Sequence, residues 1–111
     1  MNRIAVKTGG RVVILDLEEI DWIEAAGNYV RFHVGTEHYR MRKTLTAIQD
    51  LLDPEKFLRI HRSIIVNIDR VKQITPWNHG DRAVVLRDGT HLNLSRSYRA
   101  HVDRFVERYI A

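Results

Sequence analysis

The sequence predicts a mainly β fold of roughly eight to ten short strands, with a short central helix and an amphipathic C-terminal helix. Three observations predict it. Short runs of alternating or continuous apolar residues recur along the chain, each too short for a buried helix. Glycine-containing turns separate several of them. The apolar period becomes helical in only two places. At 111 residues the chain is long enough for one domain with its own core, taken here as 1–111.

The elements follow in order. Arg3–Lys7, Gly9-Gly10 and Arg11–Leu15 form a strand, a turn and a strand. Glu19–Glu24 alternates, with Ile20, Trp22 and Glu24 expected on one face and Ala25-Ala26-Gly27 ending the run. In Asn28–Val34, Val30, Phe32 and Val34 face one way and Tyr29, Arg31 and His33 the other. Gly35-Thr36 turns the chain into Glu37–Arg42. Thr44–Leu52 places Leu45, Ile48 and Leu52 on one helical face, with Thr44 as N-cap, and Asp53-Pro54 ends it. Phe57–Ile60, Ile64–Asn67 and Val71–Ile74 are further strand-like runs, and residues 76–80 form a loop. Ala83–Arg87 and Thr90–Leu94 flank an Asp88-Gly89 turn. From 95–97 onward Tyr98, Val102, Phe105, Val106 and Tyr109 recur at helical spacing, opposite Arg99, Asp103, Arg104, Glu107 and Arg108. Trp22 is expected in the core, Trp77 as a loop anchor, and Asn67 as an amide tying strand to loop.

Composition narrows the function classes. With 44% apolar and 29% charged residues the chain has the makeup of a soluble globular protein. No apolar run approaches the ~18 residues of a membrane span. Residues 1–15 make a poor signal peptide, so a cytoplasmic location with no membrane contact is expected. The absence of cysteine excludes disulfides, a thiol nucleophile and a CxxC zinc site within the chain. The six histidines form no HxH or HxxxH pair, so no metal and no cofactor are expected. Motifs of nucleotide binding, serine hydrolysis or zinc proteolysis are missing, and the chain is read as a non-enzyme.

Charge is unevenly spread. Residues 12–24 hold five acids and no base, leaving 18 bases against 9 acids elsewhere. Such a separation suggests a basic face and a distant acidic patch. Three segments are nearly free of acid: Arg40-Met41-Arg42-Lys43, Arg59-Ile60-His61-Arg62-Ser63, and Ser95-Arg96-Ser97-Tyr98-Arg99-Ala100-His101. Each mixes guanidinium groups with other donors or lies beside them, and phosphate oxygens and guanine edges accept such donors. No helix-turn-helix pattern appears, so recognition of DNA would fall to loops and strand ends. Two rival readings remain: a single-strand or RNA binder, which would need a row of exposed aromatics, and a protein-interaction module docking through residues 12–24.

The string F-L-R-I-H-R-S-I-I-V-N at 57–67 resembles the signature of the LytTR DNA-binding family. I-D-W-I-E-A-A-G-N-Y-V (20–30), R-K-T-L (42–45), V-L-R-D-G-T (85–90) and L-S-R-S-Y-R (94–99) are similar to further family segments, in the right order, over about 4–105. The resemblance implies a LytTR-type β fold and sequence-specific binding of double-stranded DNA through loops entering the major groove. Promoter direct repeats, read by two domains side by side, are the implied target. It also implies an output domain of a bacterial response regulator, with a receiver or sensor domain elsewhere and dimerisation on DNA. An excised domain is expected, and a small stand-alone regulator is the alternative.

Carried over residue by residue, Asn28, Tyr29, Arg62 and Arg96 are the implied base-contact positions, with Arg96 the expected guanine reader. Lys43, Arg59, His61, Ser63, Ser95, Tyr98 and Arg99 are the implied phosphate or supporting positions. Each has a plainer reading: a left-handed turn residue at Asn28, a packed ring at Tyr29, an ion pair of Arg62 with a carboxylate such as Asp69, a hydrogen-bonded core imidazole at His61, a solvated Lys43, and a cap or ion pair of the last helix at Arg96.

Overall fold

A computed structural model describes residues 2–110. Among these residues ten strands, all paired antiparallel, form three groups. β1 (Arg3–Thr8) and β2 (Arg11–Asp16) make a two-stranded hairpin. A five-stranded sheet is ordered β5-β4-β3-β7-β6, from β3 (Trp22–Ala26), β4 (Tyr29–Val34), β5 (Glu37–Met41), β6 (Phe57–His61) and β7 (Ile64–Asn67). A three-stranded sheet contains β8 (Val71–Pro76), β9 (Arg82–Leu86) and β10 (His91–Leu94), ordered β10-β9-β8. The helices are α1 (Leu45–Gln49) and α2 (Arg99–Glu107).

The five-stranded sheet stands between two cores, which follows from period-2 alternation. Ile23, Val30, Phe32, Phe57 and Ile65 point to the first core. There they meet Ile4, Val6 and Leu15 of the β1–β2 hairpin and Leu45, Ile48 and Leu52 of the α1 segment. Leu58, Ile60 and Val66 point the other way and meet Val84, Leu86, Leu92, Leu94, Val102 and Phe105. Burying β6 and β7 on both faces explains why they are nearly continuous apolar runs.

Asn67, the only buried polar residue among those described, ties these layers together. Its Nδ2 donates to the Ile20 carbonyl at 2.8 Å, and its Oδ1 accepts from the Asp69 N–H at 3.0 Å. The Thr44 hydroxyl caps α1, accepting from the Ala47 N–H at 3.1 Å.

Several expectations are corrected. Ile20 and Trp22 do not share a face, because a short 3-10 turn at Leu17–Glu19 interrupts the alternation. Ile20 joins Ile23 in the first core, while Trp22 packs against the second. β3 runs through Ala25 and Ala26 instead of stopping before them. α1 is five residues long, shorter than the run from 44 to 52. Tyr109 lies past the end of α2 and is 62% exposed, its hydroxyl donating to Glu55. Trp77 is 51% exposed, not buried as an anchor would be.

Candidate nucleic-acid interface

The three acid-poor segments are far apart in sequence, and the fold joins them at the β6–β7 turn. β3 and β4 are connected by only two residues, Gly27 and Asn28, with Ala26 opposite Tyr29. The first of these positions has φ +62°, which glycine adopts without steric cost. Asn28 is exposed at the tip with ordinary negative φ, so it is not the left-handed turn residue; Gly27 is. Tyr29 starts β4, and the Arg40 guanidinium lies 4.6 Å from its ring centre.

β6 carries a bulge. Arg59 pairs with Ile65 but His61 pairs with Ile64, so Ile60 is the extra residue. A bulged residue drops out of the ladder, and the Ile60 carbonyl accepts the Ser95 N–H instead, at 3.0 Å. On the other side the Ser63 carbonyl accepts the Ala25 N–H at 2.9 Å. The His61–Ser63 turn is thereby fixed between the first hairpin tip and the 95–99 segment.

Arg59 supports this turn from beneath. Its Nη1 donates to Thr46 Oγ1 at 3.0 Å and Gln49 Oε1 at 2.9 Å, its Nε to the His61 carbonyl at 3.4 Å, and its Nη2 to the Arg62 carbonyl. Its guanidinium also lies 5.9 Å from the Tyr98 ring centre. Arg62, three residues on, is exposed, and neither its guanidinium nor the Lys43 ammonium has a hydrogen-bond or ion-pair partner among the described residues. The ion pair with Asp69 is not formed.

Asn28, Tyr29, Lys43, Arg59 and Arg62 line one shallow cleft of about 440 Å³, joined by Arg42 and Thr46. Arg42 belongs to the first acid-poor segment, but its convergence with Arg62 depends on strand order, which local sequence does not specify.

The His61 imidazole is held below its ordinary value by burial, with the neighbouring Arg62 and Arg59 charges adding to the effect. Its Nδ1 accepts the Ser63 N–H at 3.0 Å, so the neutral ring carries its proton on Nε2. That leaves His61 a neutral donor beside Arg62. Ser63 itself contributes backbone groups to the turn.

The 95–99 segment is organised differently. Ser95 and Ser97 hydroxyls lie 3.2 Å apart, and residues 96–98 form a 3-10 turn that leads into α2. Arg96 donates to the His79 carbonyl and lies 3.7 Å from Asp81, while Arg99 donates to the Gly80 carbonyl. His79 is the one described non-glycine residue with positive φ, 53°. A side chain at Gly80 would meet the Arg96 guanidinium at 3.4 Å. A loop at 76–80 is expected from the sequence, but its role as the acceptor of Arg96 and Arg99 is not. Arg96 is therefore neither a cap nor an ion-pair partner of α2; it docks on this loop. Arg82 takes the ion pair with α2, meeting Asp103 at 2.8 Å.

Fold and site together define a small antiparallel β domain with a cationic end built from turns. Residues 10–107 match the family described as the LytTr DNA-binding domain, and the chain belongs to that family. Relatives include the sensory transduction protein LytT of Bacillus subtilis, 27% identical over 95% of this chain and 44% of that protein. LytT of Enterococcus faecalis is 29% identical over 95% and 42%. The transcriptional regulatory protein LytR of Staphylococcus aureus is 25% identical over 86% and 39%. The chain thus spans less than half the length of these curated relatives. A solved LytTr DNA-binding domain from Bacillus cereus has the same fold, with a TM-score of 0.86 over 96% of this chain and 97% of that one, at 22% identity. The mainly β architecture and the family resemblance read from the sequence are both borne out.

Proposed function

We propose that this chain binds double-stranded DNA sequence-specifically, at promoter direct repeats, as the output domain of a response regulator. One observation carries the reading: three acid-poor segments meet around the β6–β7 turn, with the Arg62 and Lys43 cations at its surface and without partners among the described residues. The Gly27-Asn28 tip and the 95–99 segment flank that turn, and they are the proposed entries into adjacent major grooves. Arg62 and Arg96 are the proposed base readers, each able to present a guanidinium fork to guanine O6 and N7. Asn28 and Tyr29 form the other base-contact point. Lys43, Ser63, Ser95, Tyr98 and Arg99 contact phosphate, and His61 donates through Nε2. Arg59 acts in support, its donors turned inward.

Single-strand binding is less well supported. Tyr29 and Tyr98 lie under guanidinium groups, and an isolated exposed Trp77 does not make a stacking platform. A receiver or sensor elsewhere in a longer protein would control access to DNA, and two domains would lie side by side on the repeats.

Selection of bound sites from random duplex DNA at fixed salt tests this, run for the wild type and for Arg62→Ala and Arg96→Ala. One short enriched motif is expected, with a different guanine position relaxed in each variant by about 1–3 kcal/mol of discrimination. With five to seven phosphate contacts, affinity should fall with salt at a log–log slope of about −5. A folded wild type that enriches no motif, alone or as a dimer in a longer chain, would overturn specific readout.

A further inference from the structure

The β1–β2 hairpin lies on the first core, and among the described residues one edge of it is unpaired. Among the described residues β2 pairs only with β1, in the register that sets Thr8 against Arg11 and Arg3 against Asp16. The Leu17 N–H donates to the Asn2 carbonyl at 2.9 Å, and antiparallel ladders alternate hydrogen-bonded with non-bonded pairs. It follows that Arg11, Val13 and Leu15 direct their backbone groups to β1. Val12, Ile14 and Asp16 direct theirs outward. The same three residues face away from the core, where Val12 is 56% and Ile14 60% exposed. An exposed, regular edge strand with apolar side chains is a template for another strand.

We infer that this edge pairs with the same edge of a second copy of the chain, antiparallel about a two-fold axis through Ile14. Three features select that occupant and register. The outward groups are centred on Ile14, so setting Ile14 against its copy and Val12 against the partner's Asp16 uses every outward N–H and C=O of the three residues. A register centred on Val13 leaves Asp16 opposite the Gly9-Gly10 turn. The side chains also match. Ala5, opposite Ile14 in the hairpin, leaves room beside the apolar centre. Arg3 and Asp16 form an ion pair at 3.0 Å, and Lys7, opposite Val12, brings its positive charge near the partner's Asp16. The row reads Arg3, Asp16, Val12, Lys7 across the four strands, placing an acid between two bases on each side of the axis.

The contact is isologous, since the same surface serves both copies. It cannot join two domains related by the translation of a direct repeat. It joins free chains, or chains bound at separate sites. The hairpin packs on the first core while the 95–99 segment sits on the second, so the pairing leaves that part of the basic end open. The area involved is small, and weak, concentration-dependent association is expected.

Sedimentation velocity over a concentration series tests the pairing without DNA. The wild-type chain should move from monomer to dimer as concentration rises. Ile14→Lys and Ile14→Glu each place two like charges across the axis and should weaken association by about tenfold. An equimolar mixture of the two should recover it as a heterodimer, which no folding defect can mimic. The chain has no cysteine, so Ile14→Cys should also link to its copy through a short bis-maleimide, while Lys72→Cys on β8 should not. A wild type monomeric at every soluble concentration, a dimer indifferent to Ile14→Lys, or a charge-swapped mixture that stays monomeric would each overturn the proposal.

Discussion

The two halves of the basic end use arginine in opposite ways. Around the β6–β7 turn, Arg59 directs its donors to Thr46, Gln49 and two carbonyls of the turn, while Arg62 stands exposed with no partner among the described residues. In the second half, Arg96 and Arg99 both rest on carbonyls of the loop 78–81, with Asp81 beside Arg96. The first half is organised before a ligand arrives. In the second, an Arg96 that reads a base as proposed would have to leave one set of acceptors for another, so part of its binding energy would be offset by the bonds it gives up.

Four measurements sharpen or break that contrast. Arg59→Ala should lower unfolding free energy by about 2–3 kcal/mol in urea denaturation, since bonds from a charged donor at four acceptors are lost. Arg59→Lys should not restore it, because a single ammonium cannot reproduce the fork. If Arg59→Ala instead left stability intact and cost only duplex affinity, Arg59 would be a reader and the contrast would fail. Arg62→Ala should do the reverse, weakening duplex binding by about 1–2 kcal/mol in fluorescence anisotropy while leaving the melting temperature nearly unchanged.

Asp81→Asn removes the carboxylate that competes for Arg96. Both groups are substantially exposed, so duplex affinity should rise by only about 0.5 kcal/mol. No gain would mean that Arg96 does not exchange. The smallest effect concerns pH. The folded-state value of His61 lies below the ordinary 6.5, so the unfolded chain binds more protons in the window below 6.5. The stability it contributes is complete above that value and is lost as pH falls. His101 is depressed too, chiefly by burial. His61→Asn should therefore flatten part, not all, of the decline in stability between pH 7 and 5.

The hairpins and helix starts were legible because their causes are local. Gly9-Gly10, Gly35 and Asp88-Gly89 sit where the chain must reverse, and Thr44 caps α1 through the N–H of Ala47. The 3-10 turn at Leu17–Glu19 was not legible, and it shifted the expected facing of Ile20 and Trp22. The basic segments could be picked out one by one, but not their arrangement. Nothing near Arg59 in sequence says that its acceptors are Thr46 and Gln49, 13 and 10 residues away. The bulge at Ile60, which frees a carbonyl for Ser95, is likewise set by pairing with β7.

The two-residue connection between β3 and β4 couples the tip directly to the register of the sheet. An insertion at Gly27-Asn28 that slipped β4 by one position would turn Val30 and Phe32 out of the first core and bring Tyr29 and Arg31 in. An insertion taken up wholly in the loop would instead extend the tip and leave the register intact. If this tip contacts DNA as proposed, exchanging the side chain at position 28 would alter preference there while leaving the strands and the core in register.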